Sequence, residues 1–335
     1  MLGALLQRMR TVRTVVAGDL VADEYVFGET DRVSREAPVL VVRHESSETR
    51  PGGAANVAAN VAALGARAVP VGLVGRDEPG REIVLQLEAL GADIHNIIVS
   101  STRRTWTKTR ILAGGRSTTR QQMLRLDRAD DAPLPETHRK LLRRHLRAAA
   151  HEADALIVSD YGGGLFDDKT LAAAFAAGTP ICADSRYELA RFRNAALIKP
   201  NEPELEAATG ILLRGDDDVE RAGRSLMARM EVQAVVVTRG RKGMWLFERD
   251  QETLKLPVFG PEEAVDVTGA GDTVLATLAC ALGAGASFRE ATVLANIAGG
   301  IVVQKPGTAT CSHDELAQAV ASLRDGDDIV RAGRP

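Results

Sequence analysis

Six short apolar runs recur along this chain: RTVVAGD (13–19), AVPVGLVG (68–75), ALIVSD (155–160), PICADS (180–185), AALIKPN (195–201) and AVVVTRG (234–240). Runs of this length without strict alternation predict strands buried on both faces. Between and after them, longer stretches predict helices over 52–65, 80–91, 136–150, 167–177, 202–210, 272–283, 287–303 and 313–324. Gly65 and Gly91 stand where glycine commonly stops a helix. Strands alternating with helices predict an α/β fold built on a doubly wound, mostly parallel sheet. The segments 22–50 and 104–127 break that rhythm. They are β-rich, and Gly114-Gly115 marks a hairpin in the second. We read them as a small β-sheet lid inserted into the main domain. A further short hairpin is expected near 244–256. The reading is one domain over residues 10–325, with 326–335 as a tail.

Composition narrows the function classes. Of 335 residues, 45% are hydrophobic, enough for a sizeable core. The formal net charge of −3 gives no basic surplus for nucleic acid or a membrane surface. The basic stretch RKLLRRHLRAAAHE (139–152) carries Leu141, Leu142 and Leu146 in one stripe, which predicts a solvated outer helix. No run of about 18 apolar residues predicts a membrane span. The leading MLGALLQRMRTVR is too short in apolar residues for a signal peptide. Cys182, Cys280 and Cys311 lie far apart, which fits a reducing, cytoplasmic compartment. The histidines form no metal-ligand spacing.

The candidate chemistry gathers at strand ends. Gly18-Asp19, Ser159-Asp160-Tyr161, Asp184, Lys199-Pro200-Asn201 and Thr238-Arg239-Gly240 all close apolar runs. In open α/β sheets ligands bind beyond the carboxyl ends of strands, so these residues predict one rim. Asp160 reads as a ligand contact or as part of a turn. Trp106 reads as a sugar-stacking ring or a lid–lid contact.

DVTGAGDT (266–273) precedes an apolar helix. The bare backbone of Gly269, Ala270 and Gly271 at a helix N-terminus can cradle an anion. Asp272 beside it can take a proton from an attacking hydroxyl. The same residues also read as a helix cap, through Thr268 or Asp272. Neither a dinucleotide fingerprint nor a GxxxxGK[ST] phosphate loop is present. RPGGAANVAANVA (50–62) sets Gly52-Gly53 before Asn56 and Asn60, four apart on one helix face. Amides beside a glycine pair suit sugar hydroxyls, and the stretch also reads as an alanine-rich packing helix.

In this order, GGAANVA and DVTGAGDT resemble the two signatures of the ribokinase-like (PfkB) carbohydrate kinase family. The resemblance extends over roughly residues 13–324. It implies a ribokinase-like fold and transfer of a phosphoryl group from ATP, with Mg²⁺, to a small-molecule sugar or sugar phosphate. It implies that Asp272 is the base and that Gly269, Ala270 and Gly271 form the anion hole. It assigns Asp19, Gly52, Gly53 and Asn56 to the sugar. Asn201 and Glu204 would organise Mg²⁺ and phosphates, Glu204 indirectly. Thr238 and Gly240 would meet the nucleotide, and Asn296 the adenine pocket. Asp266, Thr268 and Gly307 match a monovalent-cation loop, which implies K⁺.

Within the family the chain is most similar to the heptose 7-phosphate kinases. VSREAPVLVV, RPGGAANVAANVAALGA, TKTRIL, RLD (125–127), SDYGGG and ANIAGGIVVQKPGT carry that likeness. It implies Lys108 and Arg110 on the lid near the sugar. Two departures touch the sugar-phosphate contact. Gly163 stands where that group has a lysine in SDYGKG, and Asp184-Ser185-Arg186-Tyr187 stands for its DPKG. No HxGH-type nucleotidyltransferase motif is present, so kinase activity alone is expected. Open edges on a lid sheet predict a homodimer through the lids.

Overall fold

The computed structural model describes residues 2–115, 120–130, 132–261 and 263–323. The expected tail 326–335 and positions 116–119 of the 104–127 hairpin lie outside the described residues. The chain opens with α1 (Leu2–Met9), β1 (Arg13–Gly18), β2 (Leu20–Val33) and β3 (Leu40–Gly53). Then come α2 (Ala54–Ala63), β4 (Arg67–Gly75), α3 (Glu78–Ala89), β5 (Ile97–Ser100), β6 (Trp106–Gly114) and β7 (Gln121–Arg128). The middle holds α4 (Glu136–His151), β8 (Ala155–Asp160), α5 (Asp168–Phe175), β9 (Ile181–Ser185), β10 (Leu197–Ile198) and α6 (Glu202–Thr209). The rest is α7 (Asp216–Met230), β11 (Ala234–Thr238), β12 (Met244–Glu248), β13 (Leu254–Leu256), α8 (Ala270–Gly283), α9 (Phe288–Val302) and α10 (His313–Ser322).

Nine strands form one sheet in the order β13-β12-β11-β10-β9-β8-β1-β4-β5. It is parallel apart from β12 and β13 at one edge. Every residue of β8 is buried, as are five of six in β1. Their apolar runs are continuous because helices cover both faces, with one hydrophobic cluster on each side. On one face α2 packs against α8, and Ala54, Ala58 and Val61 of the one share a buried cluster with Leu275, Leu278 and Ala279 of the other. Small side chains let these helices pack closely.

Four strands, β3-β2-β6-β7, form a second, smaller sheet, the expected lid. α1, β5 and α7 were not expected from the sequence. Leu5, Leu6 and Met9 bury α1 against the core. In α7, Val219, Ala222, Leu226 and Met230 form the buried stripe, and Asp216–Asp218 complement the helix N-terminus. The expected strand 195–201 pairs regularly only over Leu197–Ile198. Gly52 and Gly53, expected to open a helix, close lid strand β3, and Gly53 is at the same time the N-cap of α2.

Candidate active site

The strand order explains the polar strand ends. β11, β10, β9, β8 and β1 are consecutive neighbours in the sheet. Thr238, Lys199, Asp184, Asp160 and Asp19 therefore line up along one rim, at its carboxyl end. Lys199 Nζ pairs with Asp184 Oδ2 at 2.9 Å, and both groups are largely buried. Burial acts to lower the Lys199 pKa, but Asp184 and Glu204 carry it above the ordinary lysine value. Asp160 accepts from Ser185 Oγ and the Gly162 N–H, so its carboxylate braces the turn after β8.

The α8 N-terminus meets this rim. Gly269 is the N-cap with φ of +79°, and neither Thr268 nor Asp272 caps the helix. The left-handed conformation favours glycine, and a Cβ here would also stand 2.6 Å from Asn56 Nδ2. Asp272 lies in the first turn, only 5% exposed. Asn56 Nδ2 donates to Asp272 Oδ2 at 2.8 Å, and the Tyr161 hydroxyl donates to Oδ1 at 3.0 Å. Burial pushes the Asp272 pKa up to about 6; the Asn56 hydrogen bond opposes the rise and Asp184 adds to it. Lys199 Nζ faces the same turn, 3.5 Å from where a Gly271 Cβ would stand. A fixed cation, a helix N-terminus and a basic carboxylate thus share one spot.

Asn56 is itself fixed. Asn60 Nδ2 donates to its carbonyl at 2.9 Å, and Asn60 Oδ1 accepts from Thr273 Oγ1 and the Cys311 N–H. Asn60 is fully buried in this network. It therefore offers no amide to a sugar, contrary to the reading of the Asn56/Asn60 pair as a joint sugar-binding face.

Asp19 accepts from the Tyr161 N–H at 2.8 Å and the Gly163 N–H at 3.0 Å. Burial pushes its pKa up to about 6, the Gly163 bond opposing and Asp160 adding. A Cβ on Gly163 would overlap Asp19 Oδ1, so glycine is what lets this amide reach the carboxylate. Gly53 lies against the Asp19 carbonyl and Gly52 against the Asp23 carboxylate. A cavity of about 280 Å³ adjoins Asp19 and Gly163, with Trp106, Arg103 and Leu165 in its wall.

Strand register sorts the lid's side chains. Lys108 stands beside Asp23 on β2 and Asp127 on β7, and Arg110 beside Tyr25 and Arg125. These residues share the inner face. The intervening Thr109, Leu124 and Leu126 share the outer one. Arg110 pairs with the buried Asp23 at 2.6 Å. Lys108 has no carboxylate partner among the described residues. Its ammonium lies 4.5 Å from the Tyr161 ring centre and 5.4 Å from that of Trp106. Burial lowers its pKa, Asp23 opposes that, and Arg125 and Arg186 lower it further. Asp23 was not expected at the site, and Tyr161, Lys199 and Asp184 were expected on its rim without an assigned role. Those three were legible as polar strand ends, and Asp23 carried no signal.

A second cavity of about 780 Å³ opens on the other side of the 269–271 turn. Asn201, Thr238, Gly240, Ala270, Gly271 and Asn296 all reach it. Asn296 Nδ2 donates to the Pro257 carbonyl at 2.8 Å, which fixes the wall. Asn201 and Glu204 form a capping box on α6, each side chain bonded to the other's backbone N–H. Burial, with Asp184 nearby, raises the Glu204 pKa, and Lys199 opposes this.

Asp266 ties two loops together. Its oxygens accept from the Thr268 and Gly307 N–H groups, each at 2.9 Å. Burial alone would raise its pKa, yet these donors hold it below the usual value. Nearby, Thr308 Oγ1 is buried without a hydrogen-bond partner. Among the described residues no cluster of three or more His, Cys, Asp or Glu side chains could hold a metal ion. Among them, too, no helix is long and apolar enough to cross a membrane.

Residues 15–315 match the family described as pfkB family carbohydrate kinase. Among curated proteins, the chain is 44% identical over 320 residues to the bifunctional protein HldE of Halorhodospira halophila. The match covers 94% of this chain and 65% of that protein. It is 42% identical over 314 residues to the Haemophilus influenzae (strain PittEE) protein of the same name, covering 93% and 64%. The chain thus spans under two thirds of these relatives. Among solved structures, an Arabidopsis thaliana ribokinase complexed with ribose and ATP superposes with a TM-score of 0.73 at 20% identity, covering 92% of this chain and 99% of that one. A phosphofructokinase-2 from Escherichia coli in complex with substrates and products gives 0.77 at 22%, covering 93% and 99%. At these identities the structural likeness speaks to fold, and the doubly wound sheet with its lid agrees with it.

Proposed function

The chain belongs to the pfkB family of carbohydrate kinases, and from that premise we propose that it phosphorylates the anomeric hydroxyl of D-glycero-D-manno-heptose 7-phosphate with ATP, in ADP-heptose synthesis. The observation that carries the kinase chemistry is Asp272. It is a buried carboxylate with a raised pKa, at the mouth of a helix whose bare N-terminus adjoins a cavity of nucleotide size. The sugar lies between Asp19 and the lid's inner face. Asp272 takes the proton of its attacking hydroxyl. The amides of Gly269, Ala270 and Gly271, with Lys199, balance the negative charge of the phosphoryl group in transit.

The 780 Å³ cavity takes the nucleotide, with Thr238 and Gly240 on its phosphate side and Asn296 in its wall. Asn201 and Glu204 would hold Mg²⁺ through water, and the ion would neutralise phosphate charge. Their mutual capping bonds leave the carboxylate half-buried at the rim, which fits that role. Asp266, Thr268 and Gly307 would hold K⁺, and the unpartnered Thr308 Oγ1 beside them fits a cation loop.

The lid supports a phosphorylated acceptor. Lys108 is a buried cation with no carboxylate ion-paired to it among the described residues, and Arg110 and Arg125 flank it. Three cations, Lys108, Arg110 and Arg125, against the two carboxylates Asp23 and Asp127 give this face a positive surplus, which suits an anionic ligand. The test is a panel of heptose 7-phosphate, fructose 6-phosphate, fructose, ribose and a nucleoside, read by ADP release. The expected result is at least a hundredfold preference in kcat/KM for the heptose phosphate. A preference for an unphosphorylated sugar overturns the assignment. We also read the molecule as a homodimer through the lids, because Leu124 and Leu126 stand 57% and 46% exposed on the outer face.

A further inference from the structure

Tyr161 bonds both carboxylates of the sugar cleft. Its backbone N–H donates to Asp19 Oδ2 at 2.8 Å, and its hydroxyl donates to Asp272 Oδ1 at 3.0 Å. Its ring is held from the lid side by the Lys108 ammonium, 4.5 Å from the ring centre. The end of β8, the mouth of α8 and lid strand β6 therefore meet on one side chain.

Proton abstraction requires only that Asp272 be near the hydroxyl. What it does not supply is direction. The terminal torsion of an aspartate is broad, so a carboxylate held at one oxygen can swing. Asn56 holds Oδ2 and is itself locked by Asn60. A donor on Oδ1 fixes the remaining freedom and sets the plane of the group, which aims the unused lone pairs. Both donors are themselves anchored, one by the α2 amide network and the other by the Asp19 bond and the Lys108 contact.

We propose that Tyr161 is a positioning residue for the base, whose hydroxyl fixes the plane of the Asp272 carboxylate and favours its ionised form. The proposal rests on Asp272 being the base. The other groups facing Asp272 are Asn56 from α2, Asp184 from β9, Lys199 just after β10 and Lys108 from the lid. None of them changes when the tyrosine hydroxyl is removed.

Tyr161→Phe keeps the ring beneath Lys108 and deletes only the donor. The measurement is kcat/KM against pH from 5 to 9, with ATP and heptose 7-phosphate, beside kcat and KM at neutral pH. Losing a hydrogen bond to a charged group should lower kcat about tenfold, with KM within about twofold. It should also move the acid limb upward by roughly half to one pH unit, because the carboxylate loses a donor. An acid limb in the wild-type position overturns the proposal, whatever happens to kcat, since loss of packing alone would not move it. Failure of the underlying reading shows differently: Asp272→Asn would then keep its turnover.

Discussion

The nine-stranded sheet and the lid sheet bury their side chains in opposite ways. In the first, β8 and β1 lie between two layers of helices and are almost wholly apolar. In the second, β7 is exposed at all eight positions. The lid's inner face is a lattice of Lys108, Arg110, Arg125, Asp23 and Asp127, while its outer face carries leucines. Water is excluded from both faces of the main sheet by the protein itself. At the lid's inner face it is excluded only in part, and a ligand would complete the work. The main sheet therefore fixes the rim, and the lid's inner face sets the cations Lys108, Arg110 and Arg125 against the carboxylates Asp23 and Asp127. The two acids at their junction, Asp19 and Asp272, show the cost of that arrangement: burial pushes both up to about 6.

The largest effect should come at that junction. Asp272→Asn removes the proposed base and should lower kcat by about 10³-fold or more, read by ADP release. It should also raise stability at neutral pH. A carboxyl with a pKa of about 6 folded and 3.8 in the reference state binds protons more tightly when folded. Its stabilising contribution is full below about pH 3.8 and is lost as pH rises through 6. The variant should thus melt a few degrees above the wild type at pH 8, with the gap narrowing towards pH 5. A variant less stable than wild type at pH 8 would break the claim that function strains this end of the sheet.

Next comes the main sheet. Leu156 is fully buried in β8, and Leu156→Ala should cost about 2–5 kcal/mol by denaturant titration. KM should be nearly unchanged at low temperature in the fraction that stays folded. A large KM change would mean that the rim is not rigidly held. The smallest effect belongs to the lid's outer face. Leu124→Ser with Leu126→Ser should shift the light-scattering mass from dimer to monomer, with kcat within about threefold. A wild-type mass equal to one chain at all concentrations would remove the dimer from the comparison.

Most of the parallel sheet was legible because a strand buried on both faces must be apolar along its length. The lid was legible for the complementary reason, since its polar and apolar residues break the alternation with helices. α7 escaped although Val219, Leu226 and Met230 recur on one face; its charge-rich remainder and Gly223 dilute the pattern. The glycine pair read as a helix start alone, and its second role as a strand end was missed, because Gly52-Gly53 satisfies both. N-x-x-E at 201–204 is both a candidate phosphate organiser and a capping box, and the bonds show that capping is present whatever else the pair does.

By itself the sequence determined most of the order of strands and helices, the amide turn before α8 and the identity of its acid, because backbone shape and helix-end charge depend on a few consecutive residues. Only the tertiary structure decided what holds that acid. Asn56 and Tyr161 lie 216 and 111 positions away from it in the chain, and Asp23 found Arg110 across 87. Such contacts depend on which strands become neighbours and how far each side chain reaches, and no local pattern of residues encodes either.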